Sequence, residues 1–550
     1  MAEQLLTRLE ASGVSLSTEG GRLRVNAPKG GLTDELKSAI AASKEALIAL
    51  LERRSALRGK VLEQLDRAGR LPVSPFQERL WILQRLDPGS SAYNIAHAWK
   101  NPSGADTATV VAAIESVLER HEILRSCFDE VEGALTSRPL PRSCVPVEVR
   151  DLSTLGADEQ LRQIDMEMNA EVSPPFDLTA APPTRFIVYR LGPAQSATLL
   201  ATHHIAVDDW SLTLLEKEIA AACVPGSRAA VTSSQLQYAD YAAWQRATTD
   251  PAVIAADLDW WASYLAQAPQ LSVFPPDLPG SLPTSQTDSA GATRSILWSP
   301  AVAAGVRALA RKEGATLYMA MMAACATVLR WHTGQEDFVL GSPMGARERT
   351  ELESMIGPFV NLLLVRLDLK GDPTFAELLR RARSSMLEAH ERRHVPFETL
   401  LERLKPARHA AHSPLFQIAL VQHNAPHADS DTGGDAVRKA GGAMHELTWF
   451  VRETAAGLEC SFEYRADLYS VEAIDRIAAH LETVLRGAVE NSSRRVSELM
   501  VLSAAELAQL AQFNDTSVDF ERTLFVEKFE AGVRRNADAT ALASDGVTAT

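Results

Sequence analysis

The stretch Ala201-Thr202-His203-His204-Ile205-Ala206-Val207-Asp208-Asp209-Trp210-Ser211 marks the point where a strand meets a helix in this chain. The apolar residues before it are typical of a buried strand, and residues 212–219 place leucine and isoleucine at helical spacing. We therefore expect both histidines at the end of a strand. We expect Asp208 and Asp209 at a helix N-terminus, where negative charge is favoured.

The chain on both sides of this stretch alternates between strand-like and helix-like patterns, which predicts an α/β body. The clearest strands are predicted at 186–189, 198–203, 337–340 and 362–367, and the clearest helices at 316–331 and 375–391. A proline-rich stretch near 260–284 is expected to cross between two lobes. The predicted units are 1–55, a linker at 56–70, a first lobe at 71–250, a second lobe at 251–500, and a C-terminal piece at 501–550.

Composition excludes several classes of protein. The 550 residues carry 55 basic and 70 acidic side chains, a net charge of -15, which disfavours nucleic acid as a partner. No apolar run reaches the ~20 residues of a membrane span, and the N-terminus lacks a secretory pattern, so a cytoplasmic location is predicted. The five scattered cysteines lack metal-ligand spacing, which predicts reduced thiols and no structural metal.

The two histidines suggest proton transfer, because imidazole can take up or organise a proton near neutral pH. His204 is the candidate base, and Asp208 is the residue that organises the loop, by fixing the site or by packing. A pair of buried core histidines beside a helix cap is an equally good interpretation of this motif alone. A metal site is less favoured, since neighbouring strand residues point to opposite faces and no third ligand is evident.

The first fifty residues form a pattern of their own, too small to bury much surface and therefore suited to an adaptor. A helix is followed by two alternating runs at 14–17 and 22–25, which predict a hairpin, and a second helix is predicted from Thr33. Arg22, Arg24 and Lys29 lie on or beside this hairpin with no acidic residue between Gly20 and Leu32. They suit an anionic peptide, and a solvated basic face is the alternative.

Seven motifs in order give the chain a specific resemblance. They are Ser74-Pro-Phe-Gln-Glu-Arg-Leu-Trp81, Arg120-His-Glu-Ile-Leu-Arg125-Ser-Cys-Phe128, the histidine motif, Tyr238-Ala-Asp240-Tyr-Ala-Ala-Trp244, Gly341-Ser-Pro-Met-Gly-Ala-Arg347 with Ile356-Gly-Pro-Phe-Val-Asn361, His394-Val-Pro-Phe-Glu398 and Ser413-Pro-Leu-Phe-Gln417. The middle of the chain resembles the condensation domains of nonribosomal peptide synthetases. The resemblance implies two lobes, each similar to chloramphenicol acetyltransferase, that form a V around a tunnel. It also implies amide synthesis between substrates held on the phosphopantetheine arms of carrier proteins, with no cofactor bound by the chain itself.

The resemblance also implies roles for individual residues. His204 would position the acceptor amine or take its proton, with His203 and Asp208 completing the motif and no acyl-enzyme formed. Asp208 would pair with Arg347. The remaining supporting candidates are Arg125, Asp209, Trp210, Asn361 and Ser413. Asp209 stands where the family usually has glycine, a departure that aspartate tolerates because it is among the few residues that adopt positive φ.

The two ends of the chain imply partners. The N-terminal segment resembles tubulysin-type docking domains, which implies capture of the C-terminal tail of the preceding synthetase subunit and so an upstream carrier protein. Residues 501–550 resemble the linker and first helix of an adenylation domain, which implies a longer synthetase and a downstream carrier. Epimerisation, ester formation and a non-catalytic recruiting scaffold remain as alternatives.

Overall fold

A computed structural model describes residues 15–19, 22–26, 37, 39–41, 43–45, 47–48, 61–224, 236–249, 254–278, 291–406, 412–422, 437–517, 519 and 522–550. Its contacts divide the chain into one unit of residues 1–501 and a second unit of residues 502–550. The two predicted strands of the N-terminal segment form an antiparallel hairpin. They are β1 (Ser15–Glu19) and β2 (Arg22–Asn26), with Leu16 opposite Val25.

The first half of the larger unit contains helices and the strands of two separate sheets. Its strands are β3 (Leu71–Pro72), β4 (Asn94–Lys100), β5 (Ser126–Val131), β6 (Ala134–Pro139), β7 (Val147–Asp151), β8 (Thr184–Gly192) and β9 (Gln195–His203). Its helices are α1 (Pro75–Leu86), α2 (Thr107–Arg120), α3 (Ala157–Val172), α4 (Asp209–Ala222) and α5 (Tyr238–Thr248). Helix α1 begins at a capping box, in which Ser74 Oγ accepts from the Gln77 amide and the Gln77 side chain accepts from the Ser74 amide.

The second half contains a larger sheet. Its strands are β10 (Gly291–Trp298), β11 (Asp337–Gly345), β12 (Val360–Asp368), β13 (Ile418–Gln422), β14 (Val437–Ala440), β15 (Leu447–Thr454) and β16 (Gly457–Arg465). Its helices are α6 (Ala255–Tyr264), α7 (Pro300–Lys312), α8 (Leu317–Thr333), α9 (Thr350–Glu353), α10 (Phe375–Glu391), α11 (Phe397–Leu404) and α12 (Val471–Glu490). Six of these strands, all except β14, form the sheet in the order β10-β16-β15-β13-β11-β12, with β11 and β13 parallel and β13 and β15 parallel.

Two segments of the second half pack with the first half, one in its sheet and one in its core. Strand β14 pairs antiparallel with β4 and completes the order β14-β4-β9-β8-β7. The segment that contains α9 also crosses over, because Leu352, Met355, Ile356 and Phe359 are buried in the core beneath β4, β8 and β9. The second sheet packs on its own core with α8, α10 and α12. The two halves are therefore joined by shared strands and shared core, and the predicted boundaries between domains stay a prediction.

The smaller unit contains α13 (Ala504–Asn514), α14 (Phe525–Arg535) and a hairpin of β17 (Leu542–Ser544) and β18 (Val547–Ala549). Asp545 and Gly546 both have positive φ, 48° and 81°, which turns the chain back on itself as in a two-residue hairpin loop.

The predicted α/β fold is confirmed. Each of the four strands and two helices predicted above lies within or overlaps an observed element, and Thr316 caps α8 as its polar side chain suggests. The V shape and the likeness to chloramphenicol acetyltransferase stay predictions. The five cysteines lie in described ranges as free thiols, four buried and Cys144 exposed. None of the described helices is long and apolar enough to cross a bilayer.

Candidate active site

His204 follows the last residue of β9 and is fixed by backbone groups on both sides. Its amide donates to the carbonyl of Tyr93, 2.8 Å away, and its Nδ1 lies 2.7 Å from the carbonyl oxygen of Val207. A carbonyl only accepts, so Nδ1 carries the proton and Nε2 of the neutral ring carries the basic lone pair. The ring packs edge-on against Phe76. The loop therefore selects the tautomer that a general base needs.

His203 has a different environment although it is the neighbouring residue. It is fully buried, its Nδ1 accepts from the Ile205 amide at 3.0 Å, and Tyr93 and Phe176 pack around the ring. Burial lowers the pKa of His203 to about 3, with the nearby His204 adding to the effect. Its Nε2 is buried with no hydrogen-bond partner among the residues that the structure describes. His203 is therefore a neutral packing residue at physiological pH.

Asp208 is held by four hydrogen bonds. Oδ1 accepts from the Ser211 amide at 2.8 Å and from Arg347 Nη2 at 3.0 Å. Oδ2 accepts from the Phe359 amide at 3.0 Å and from the same Nη2 at 3.3 Å. The first of these bonds caps α4, and the others tie the histidine loop to the second half of the chain. Asp208 is thus a positioning residue, and the ring of His204 is oriented by Val207 instead.

Arg347 is the centre of this connection. Besides Asp208, it donates to the carbonyls of Leu352 and Met355, both at 2.6 Å, and to Ser211 Oγ at 3.0 Å. Its guanidinium lies 4.0 Å from the centre of the Phe359 ring. Burial lowers the pKa of Arg347, and Asp208 opposes that shift. Because the ion pair is buried on both sides, it fixes the two halves of the chain at the site.

A family model for the condensation domain matches residues 67–511. The chain belongs to the condensation-domain family. A second model, for the TubC N-terminal docking domain, matches residues 3–53. The protein is therefore a condensation domain preceded by a docking domain.

Curated relatives agree with this assignment. A linear gramicidin synthase protein of Brevibacillus parabrevis is 34% identical over 476 residues, which cover 84% of this chain and 9% of that protein. Phosphinothricin tripeptide synthetase PhsB of Streptomyces viridochromogenes is 32% identical over 469 residues, covering 82% of this chain and 39% of that protein. This chain thus spans well under half of either relative.

Solved structures share the fold. The X-domain from teicoplanin biosynthesis is 26% identical with a TM-score of 0.71, and the match covers 80% of this chain and 100% of the X-domain. A four-domain nonribosomal peptide synthetase bound to AMP and glycine is 21% identical with a TM-score of 0.74, covering 89% of this chain and 38% of that one. The second match shows the fold alone.

Asp209 of this condensation domain is the first residue of α4, and it does not use the positive φ that glycine would permit. The departure from the family pattern therefore causes no backbone strain, and the tolerance of aspartate for positive φ plays no part at this position. The neighbouring Trp210 is partly exposed, and its indole Nε1 donates to the carbonyl of Glu353 at 2.9 Å. Both residues lie at the junction between the histidine loop and the α9 segment.

Three supporting candidates have local contacts. Arg125 donates to the carbonyls of Leu118 and Leu140, neither of which belongs to the histidine loop. The Asn361 amide donates to the carbonyls of Arg393 and Val395 and accepts from the amides of Leu362 and Phe397. The Ser413 amide lies 3.3 Å from Glu446 Oε1. These side-chain contacts favour structural roles for Arg125 and Asn361, and the role of Ser413 stays a prediction.

The docking candidates are only partly described. Arg22 and Arg24 lie on β2, where Arg24 is exposed and opposite Ser17, and Glu19 is opposite Arg22. Lys29 lies outside the described residues. The basic hairpin surface therefore stays a prediction.

Several residues that position the site had no role assigned from the sequence. Gln77 donates to the Ile205 carbonyl at 3.0 Å, and Phe76 packs on His204, so the opening motif supports the histidine loop directly. Ser211 Oγ donates to the Gly357 carbonyl at 2.9 Å. Tyr238 fills the space beside Gly357, where an added Cβ would lie 1.9 Å from its ring. The family motifs are the sequence signal that marks these residues, but the motifs do not predict which residue each of them contacts.

The buried neutral histidines predict acid sensitivity. His203 and His445 both have a pKa lowered to about 3 by burial, whereas the unfolded chain protonates them near pH 6.5. Between these pH values the unfolded state therefore binds more protons than the folded state. Each of the two histidines lowers the free energy of unfolding of the protein by about 2 kcal/mol from pH 6.5 to pH 5. In urea titrations over this pH range, the free energy of unfolding of His203→Asn should fall by about 2 kcal/mol less than that of the native chain. An equal loss in both proteins would contradict a neutral, buried His203.

Proposed function

We propose that this condensation domain forms an amide bond between two carrier-bound substrates. The donor is an acyl or peptidyl thioester on an upstream carrier, and the acceptor is an aminoacyl thioester on a downstream carrier. The observation that carries the proposal is His204, whose Nδ1 is held by the Val207 carbonyl so that Nε2 is the basic nitrogen. An amine nucleophile needs such a group, because its proton must leave as the new bond forms.

The chemistry balances without a covalent enzyme intermediate. The acceptor amine attacks the donor carbonyl carbon, a C–N bond forms, and the C–S bond of the donor thioester breaks. His204 Nε2 positions the amine or takes up its proton, which passes to the departing thiolate of the upstream pantetheine arm. Asp208 and Arg347 hold the loop in place, and phosphopantetheine enters as part of the substrates.

The flanking segments support a place within a longer synthetase. The docking domain would bind the C-terminal tail of the preceding subunit, and the basic residues Arg22, Arg24 and Lys29 would favour an acidic tail. Residues 501–550 would begin an adenylation domain, which would load the downstream carrier.

The likeness to the teicoplanin X-domain supports a second candidate, a recruiting scaffold without catalysis. The X-domain has been solved in a complex with OxyB, and that structure is 25% identical to this chain with a TM-score of 0.68. His204 is held with its proton on Nδ1 and its basic lone pair on Nε2, and this tautomer favours catalysis over a recruiting scaffold.

Reconstitution separates the two functions. The purified chain is mixed with a donor-loaded upstream carrier and an aminoacyl-loaded downstream carrier, and both carriers are weighed by intact mass spectrometry. We expect the acyl mass to move from the upstream to the downstream carrier only when the chain is present. Binding of both carriers without any transfer, across several donors and acceptors, would favour the scaffold.

A further inference from the structure

The segment that follows the docking domain is held on the first half of the condensation domain by an arginine. The two Nη atoms of Arg67 each donate to one oxygen of Asp240, at 2.8 Å, and its Nε lies 2.9 Å from Glu122 Oε2. This bidentate geometry is the strong form of a carboxylate contact. The two carboxylates raise the pKa of Arg67, chiefly through the hydrogen bonds to Asp240. Arg67 therefore joins residues that are 173 and 55 positions away.

Asp240 is the buried acceptor that holds this segment in place. Its side chain has no exposed surface, and its oxygens also accept from the Leu65 amide at 2.8 Å and the Gln237 amide at 2.7 Å. Arg67 Nη1 in turn donates to the Leu65 carbonyl at 2.9 Å, so the chain between them curls around the carboxylate. A buried carboxylate is stable only when it is paired and hydrogen-bonded, and the segment provides both.

An apolar contact lies at the start of the segment. Leu62 is only 7% exposed and belongs to the core that also contains Val73, Leu80 and Tyr241. Burying one leucine contributes about 2 kcal/mol. The segment is thus held at Leu62 by packing and at Leu65 and Arg67 by polar contacts, although the sequence predicted only a linker at 56–70.

We propose that residues 62–67 are an anchor that shortens the tether of the docking domain. The inference rests on the docking role proposed above. The match to the docking domain ends at residue 53 and the anchor begins at Leu62, so the eight residues 54–61 separate the two. Without the anchor the tether extends to Leu71, where β3 begins, and is roughly twice as long. The effective concentration of a captured partner falls with about the 3/2 power of tether length, so release lowers it about threefold.

Hydrogen exchange tests the anchor without any partner. Arg67→Met removes both ion pairs, and peptides over residues 61–66 should then exchange at least about tenfold faster, because the guanidinium no longer holds the Leu65 carbonyl and Asp240 together beside the Leu65 amide. Arg70→Met is the matched control, since Arg70 lies in the same segment but pairs with Asp129 instead of Asp240. Glu122→Gln is a milder second variant that keeps the Asp240 contact. Exchange that is unchanged in Arg67→Met would overturn the anchor.

Transfer kinetics test its consequence. The donor carrier of the preceding subunit is used below saturation, with its C-terminal tail and with the tail deleted. In Arg67→Met the rate with the tail should fall about threefold while the rate without the tail stays as in the native chain and in Arg70→Met. An equal fall with both carriers would overturn the tether role and indicate a general loss of structure. If the native chain gains nothing from the tail, the docking proposal and the tether role fail, and hydrogen exchange alone decides the anchor.

Discussion

His204→Asn should lower amide formation by a factor of about 10² to 10⁴ while the histidine loop keeps its shape. The asparagine amide can still donate to the Val207 carbonyl, as Nδ1 does now, but nothing remains at the position of Nε2. The loss should therefore fall on the chemical step and not on folding. Single-turnover transfer from a saturating donor carrier, followed by intact mass, measures that step directly.

His204→Gln is the matched partner of this variant. Its longer side chain places a polar group near the Nε2 position and lacks the donor near Nδ1, and an amide cannot take up a proton. If positioning of the amine is the main contribution of His204, the glutamine variant should be more active than the asparagine variant. Native rates in both variants would remove His204 from the mechanism. Thermal unfolding of each variant checks that a lost activity is not a lost fold.

Arg347→Met should be the most destabilising of the substitutions considered, at about 3 to 5 kcal/mol, and should also abolish transfer. It leaves Asp208 buried without its cation and removes the donors that hold the Leu352 and Met355 carbonyls. The loop that carries His204 then loses its ion pair with the second half of the chain and keeps only hydrogen bonds to it, such as that from the Phe359 amide to Asp208. Denaturant titration by fluorescence and near-ultraviolet circular dichroism measures the loss of stability.

A double-mutant cycle isolates the ion pair. Asp208→Asn combined with Arg347→Met should be more stable than the sum of the single variants predicts, because the uncompensated charge is gone. The pair of Arg366 and Asp337 is the control, since it is bidentate but more exposed and lies outside the histidine site. Arg366→Met should lower the free energy of unfolding by less than Arg347→Met does, and it should leave the rate of transfer unchanged. Additive effects of Asp208→Asn and Arg347→Met would contradict a coupled pair at the site.

The sequence alone determined the α/β class and located four strands and two helices of the body, together with the N-terminal hairpin. An apolar run located β9, apolar residues at helical spacing located the helix after it, and Asp208 and Asp209 located the start of that helix. These signals are local, because a period or a cap involves residues only a few positions apart. The seven motifs added the family and named Arg347 as the partner of Asp208, and that pairing is present in the structure.

For the other polar groups of the site, only the tertiary structure decided what each one contacts. The Val207 carbonyl, and not Asp208, orients the ring of His204. The oxygens of Asp208 instead accept hydrogen bonds from Ser211, Phe359 and Arg347. The insertion of β14 beside β4 and the pairing of Arg67 with Asp240 join segments more than 170 positions apart. Such contacts depend on how separately formed elements pack together, and no periodic pattern or local cap in the chain encodes the partner of a buried charge.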